Sequence, residues 1–128
     1  MGIAVIEDRK ARAKAWFEAA HMLPGTTLGA ASEEIHGHSF RAEVTVRGTP
    51  DPASGMVLDL GLLQRAIADV QKALDHRLLN KVAELGPPTL ENLSRFVFDR
   101  VQHAGQIARV SIFRDSCDES CTYYGPQG

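Results

Sequence analysis

Cysteine is scarce in this chain: only Cys117 and Cys121 among 128 residues. That excludes a disulfide-stapled fold, and the two thiols are expected to stay reduced in a cytoplasmic setting. Long apolar runs are missing too, since nothing approaches the roughly 20 residues that span a bilayer. The opening stretch MGIAVIEDRKARAK holds an apolar run too short for a secretory core. Charge of one sign is also lacking. Fourteen basic and sixteen acidic residues are interspersed to a formal charge of −2, with no basic block, so neither nucleic acid nor an anionic membrane is an expected partner. Internal repeats and linker-like breaks are absent. One domain over residues 1–128 is expected, large enough to bury a core unaided.

What is present is patterning. Residues 12–22 alternate, with Ala13, Ala15, Phe17, Ala19 and His21 on one parity, which predicts a half-buried strand. Residues 23–35 read as a connecting loop opened by Pro24-Gly25. Residues 38–47 alternate again, with Phe40, Ala42, Val44 and Val46 on one face, and stop at the turn-rich RGTPDPASG. From Leu60 the period becomes helical: Leu63, Ile67, Val70 and Leu74 share a face, and Asp59 is a plausible N-cap. A second helix is expected from Thr89 to near Gly105, then strands at IARVSIF and SCTYY. Segregated strands and helices predict an α+β fold with an antiparallel sheet and both helices on one face.

Five histidines are available, and two of them stand in HGHSF as His36 and His38. Residues two apart on a strand share a face, here the face of Phe40 and Val44. His21 has the apolar parity of the neighbouring strand. Pairing the strands would gather three imidazoles, a donor set that suits Zn²⁺ with one position left for water or substrate. Gly37 between them is expected to permit a bend. A bare His-x-His is common, so the third histidine carries the argument. Asp75-His76 ends the first helix. It reads either as a proton-transfer pair or as a histidine drawn to a helix C-terminus. Thr89 and Glu91 open the second helix and read at this level as ordinary capping residues.

In this order and at these intervals, FEAAHML, HGHSF, SGMVLDL, LDHRLLN and PPTLENL resemble the 6-pyruvoyl-tetrahydropterin and 6-carboxy-tetrahydropterin synthase family over most of the chain. The resemblance implies a tunnelling fold, a ββααββ subunit that joins into homotrimers or homohexamers with sites at subunit interfaces. It implies that His21, His36 and His38 bind zinc and that Asp75 and His76 form an acid–base pair. Thr89 and Glu91 would lie near a pterin ring, and the substrate would be dihydroneopterin triphosphate or a relative of it. Zinc would then act as a Lewis acid on the side-chain hydroxyls.

Two departures qualify the match. The family's thiol positions are Ala30 and Ser32 here, and a serine hydroxyl is a far poorer base than a thiolate. A third class of the family places glutamate where Glu33 stands and cleaves the side chain to 6-hydroxymethyl-dihydropterin, so Glu33 would be the base of a retro-aldol reaction. The second departure is Arg114, which stands where a pterin-anchoring glutamate is expected, with Asp115 beside it. Either Asp115 replaces that glutamate through a one-residue shift, or the ligand is not a pterin. Two readings result: a zinc-dependent lyase, or a catalytically altered homologue that binds a different, anionic ligand.

Overall fold

The computed structural model describes residues 9–25 and 33–126; Ala30 and Ser32 lie outside the described residues. Four strands form one antiparallel sheet in the order β1-β2-β3-β4. They are β1 (Arg9–His21), β2 (His36–Gly48), β3 (Ile107–Arg114) and β4 (Glu119–Tyr123). Between β2 and β3 the chain forms α1 (Leu60–Leu74) and α2 (Leu90–Val101). The α+β architecture and element order follow the expectation from patterning. The boundaries differ at the strand ends: β2 begins at His36 rather than 38, so both histidines of HGHSF lie within the ladder.

The β1–β2 ladder runs unbroken from Arg9↔Gly48 to His21↔His36. Parity does the sorting. Phe17, Ala19 and His21 are buried on the helix-bearing face together with Phe40, Ala42, Val44 and Val46 of β2. The polar parity, including Glu18, Ser39 and Arg41, lies on the opposite face. There the Arg41 guanidinium sits 3.9 Å from the Phe113 ring centroid and 5.6 Å from that of Trp16. The stem and plane of an arginine pack well on aromatic rings while its charge stays solvated.

Both helices begin on the caps their sequences suggest. The Asp59 carboxylate accepts from the Gly61 N–H at 2.9 Å, and the Thr89 hydroxyl accepts from the Asn92 N–H at 3.1 Å. α1 buries Leu63, Ala66, Ile67, Val70 and Leu74, and α2 buries Leu93, Phe96, Val97 and Val101. These stripes pack on the apolar face of the sheet as one core. Each fully buried leucine there contributes roughly 1.5–3 kcal/mol relative to exposure. α2 is shorter than expected and ends at Val101, where a 3-10 turn over Gln102–Ala104 completes the descent to Gly105.

The segment after α1 matters most for the site. Rather than leaving the sheet, it runs alongside the end of β1, with a parallel bridge between Ala20 and Leu78. The His76 N–H donates to the Glu18 carbonyl at 2.6 Å, and the Ala20 N–H donates to the Arg77 carbonyl at 3.0 Å. Asn80 finishes the seam with its side-chain amide: Met22 N–H donates to Oδ1 at 2.9 Å and Nδ2 donates to the Met22 carbonyl at 3.0 Å. The histidine-bearing end of β1 is therefore held from both sides.

Candidate metal centre

His21 and His36 face each other across the ladder, and His38 opposes Ala19 one pleat further in. Their ring centroids are 4.6 to 5.0 Å apart. One nitrogen from each ring lies within 4.8 Å of the other two. Tetrahedral Zn–N bonds of about 2.0–2.1 Å place ligand nitrogens about 3.3 Å apart, so small side-chain rotations would close the set.

The hydrogen bonds assign the tautomers. A carbonyl only accepts, so His21 donates from Nδ1 to the Pro88 carbonyl at 3.0 Å, and His36 donates from Nδ1 to the Glu34 carbonyl at 2.8 Å. Each ring thereby turns an Nε2 lone pair toward the cluster, the arrangement that orients metal-binding histidines. Nε2 of His21 and Nε2 of His38 are buried and meet no hydrogen-bond partner among the described residues. A buried polar atom left unpaired costs about 1–3 kcal/mol, and a cation would remove that cost at both positions. These residues fit a bound divalent metal.

The electrostatics agree with neutral, metal-ready rings. Burial lowers the His21 imidazole, against the bond to Pro88, which raises it. Burial, assisted by the nearby Arg114 guanidinium, pushes His38 down to about 4. Metal ligation requires the unprotonated ring, so both shifts keep the donors available near neutrality. Phe40 forms the floor, edge-on to His21 at 5.8 Å and to His38 at 5.7 Å, and stacked on Phe17 at 5.1 Å. Gly37 is an ordinary strand residue with no positive φ, and a Cβ there would meet only the Ala19 carbonyl at 3.6 Å. The bend expected of it is not needed.

Asp75 and His76 do touch, with Oδ2 at 3.0 Å from Nδ1. The other oxygen, Oδ1, accepts the Glu18 N–H at 2.8 Å. That bond, with a smaller part from His76, holds the Asp75 carboxyl below the usual range. His76 adopts a left-handed backbone, φ 57°, and its side chain is 81% exposed. Its Nδ1 donates to Asp75, which leaves Nε2 as the nitrogen open to take up and release a proton. His76 and His38 border one cavity of about 650 Å³. Glu33 is exposed, three residues before His36 and just ahead of the β2 ladder.

A second cavity of about 650 Å³ brings together Thr89, Glu91 and Arg114. Asp115 is not among them. Asp115 opens the turn that follows β3, and it accepts from Nε and Nη2 of Arg41 at 3.1 Å each, on the face away from the helices. Asp115 is thus paired with Arg41 and does not line the cavity that holds Arg114. Arg114 instead meets Glu119, its cross-strand partner, at 2.6 Å. Glu119, the two carbonyls behind the histidines, and Glu18 escaped the reading of the chain. A carbonyl has no sequence signal, and Glu119 depends on a register set by a three-residue turn.

The match to known proteins now bears on these positions. The model of the family described as 6-pyruvoyl tetrahydropterin synthase matches residues 10–126. The chain belongs to that family. A 6-carboxy-5,6,7,8-tetrahydropterin synthase of Synechocystis is 32% identical over 117 residues, covering 87% of this chain and 89% of its own. A dihydroneopterin monophosphate aldolase of Pyrococcus furiosus is 37% identical over 89 residues, covering 70% of this chain and 71% of its own. The solved 6-pyruvoyl tetrahydropterin synthase of Caenorhabditis elegans superposes with a TM-score of 0.80 at 27% identity, over 96% of this chain and 99% of that one. The fold is therefore the tunnelling fold of that family.

Proposed function

We propose that this chain is a zinc-dependent lyase that cleaves the side chain of a dihydroneopterin phosphate by a retro-aldol reaction. The observation that carries the reading is the pair of buried, unpartnered Nε2 atoms on His21 and His38, with His36 completing the set. Bound there, Zn²⁺ would polarise the substrate's side-chain hydroxyls as a Lewis acid. Support for cleavage over the family's other outcomes comes from Glu33 and from the likeness to an aldolase.

In this reading Glu33 accepts the proton of the hydroxyl on the second side-chain carbon. The bond between the first and second carbons then breaks, its electrons pass into the conjugated ring, and the second carbon leaves as an aldehyde. His76 returns a proton from Nε2 to the first carbon, leaving 6-hydroxymethyl-dihydropterin. Asp75 fixes the His76 tautomer and steadies the charged ring. The exposure of His76 suits a site completed between copies of the chain in a homotrimer or homohexamer, as the family resemblance implies.

The test is incubation of the zinc-loaded protein with dihydroneopterin monophosphate and triphosphate, with products followed by mass spectrometry. Release of 6-hydroxymethyl-dihydropterin is expected, and Glu33→Gln should abolish it while zinc stays bound. Unchanged substrate, or a pyruvoyl or carboxy product, overturns the reading. The rival, a non-converting homologue for an anionic ligand, rests on Arg114. The charge of that guanidinium is already met by Glu119.

A further inference from the structure

We propose that Glu119 is a specificity-determining residue that selects a neutral heterocycle carrying amine and ring N–H donors, and disfavours an anion, in the cavity it lines with Thr89, Glu91 and Arg114. The proposal rests on the pterin reading above and adds to it the group that reads the ring.

Arg114 alone suggests the opposite. It is 9% exposed and sits close enough to His21 and His38 to disfavour their protonation. An uncompensated guanidinium in that place would recruit a carboxylate or phosphate. It is not uncompensated. The β3–β4 ladder sets Glu119 directly opposite Arg114, and Oε1 accepts from Nη2 at 2.6 Å.

The remaining charges point the same way. Glu91, Asp118 and Glu119 border the cavity against the single cation Arg114, which leaves two formal negative charges on its wall. Such a wall repels an anion and strengthens hydrogen bonds from N–H donors to a carboxylate. The Glu119 side chain is 46% exposed, so its carboxylate still reaches the cavity while held by Arg114. Arg114 Nε is buried with no hydrogen-bond partner among the described residues, a donor awaiting an acceptor. A carboxylate acceptor and a guanidinium donor thus stand side by side. Their complement is a ring edge with an exocyclic amine and ring N–H facing Glu119 and a ring carbonyl facing Arg114. At about 650 Å³ the cavity has room for a bicyclic ring. In this arrangement Glu119 sets selectivity, and Arg114 holds it in place.

The experiment is fluorescence titration of the zinc-loaded full chain with neopterin, and with the lumazine that bears the same side chain but oxygen in place of the 2-amino group. Inorganic phosphate serves as a competitor. Sites built to hydrogen-bond a donor reject analogues that lack it. Wild type should favour neopterin by at least about tenfold, and phosphate should not displace it. Glu119→Gln should keep its zinc yet hold the two rings to within about threefold of each other. A merely structural Glu119 would weaken both ligands alike and leave the preference intact. The double variant Arg114→Met, Glu119→Gln removes the buried charge that Glu119→Gln leaves unpaired, and should lose the preference as well. A preference that survives both variants, or a wild type displaced by phosphate, overturns the proposal while leaving the pterin reading standing. A wild type that binds neither ring sinks that reading, and this proposal with it.

Discussion

His21 and His36 are direct partners in the β1–β2 ladder, with ring centroids 4.6 Å apart and an interplanar angle of 67°. Side chains directly opposite on an antiparallel pair have Cβ atoms about 4.5–5.5 Å apart. The two imidazoles are therefore brought together by register alone, before any loop is placed. A one-residue slip would send the whole of one strand's apolar set, and its histidines, to the other face.

Metal content reports this directly. His21→Ala or His38→Ala should reduce bound zinc after dialysis from about one per chain to near zero, since three imidazoles are the minimum protein set for such a site. Elemental analysis of purified protein provides the measurement. Full occupancy in both variants would place the metal elsewhere.

Removing zinc should also cost stability. A ligand that binds only the folded state adds about 2.7 kcal/mol when present at a hundred times its dissociation constant. For a chain of this size that corresponds to a rise in melting temperature on the order of 10 °C. Calorimetry of chelated and reloaded protein checks it, and coincident transitions would argue against a site formed by the folded chain.

Phe40 supports the centre from below. It is fully buried and touches Phe17, His21 and His38 ring to ring. Phe40→Ala should destabilise the protein by about 3–5 kcal/mol. It should weaken zinc binding in the same variant, because the rings lose the surface that aligns them. A large loss of stability with unchanged zinc affinity would separate the floor from the site.

Asp75 gives a pH-dependent prediction. Its carboxyl titrates lower when folded, chiefly because the Glu18 N–H donates to it. An acid whose folded value is depressed contributes stability that is complete above its unfolded value, about 3.9, and is lost as pH falls through the folded one. The urea midpoints of wild type and Asp75→Asn should therefore differ at neutral pH and converge as the pH falls through the depressed folded value. A constant gap across that range would assign the difference to packing rather than to charge.

Much of this architecture is legible in the chain, and the reason is local. Alternation from Ala13 to His21 and from Phe40 to Val46 needs only the two-residue period of a strand, and Leu63 to Leu74 only the helical period. The histidine cluster is legible for the same cause, because parity and antiparallel pairing place all three rings on the buried face. Asp115 and Glu119 mark where such reasoning ends. Which carboxylate meets Arg114 depends on how the Asp115–Cys117 turn sets β4 against β3. That geometry rests on a left-handed Asp118 which no periodicity announces. The seam from His76 to Asn80 was equally hidden, since side-chain amides that imitate a strand leave no alternating pattern.

The backbone of His76 lies in a region that residues with a β-carbon enter only at some expense, and the neighbouring main-chain and carboxylate bonds hold it there. Glycine at this position would relax the chain, so a sturdier protein is within one substitution's reach. In the proposed reaction that imidazole moves a proton, so greater robustness gained by this route would be set against turnover at a single residue.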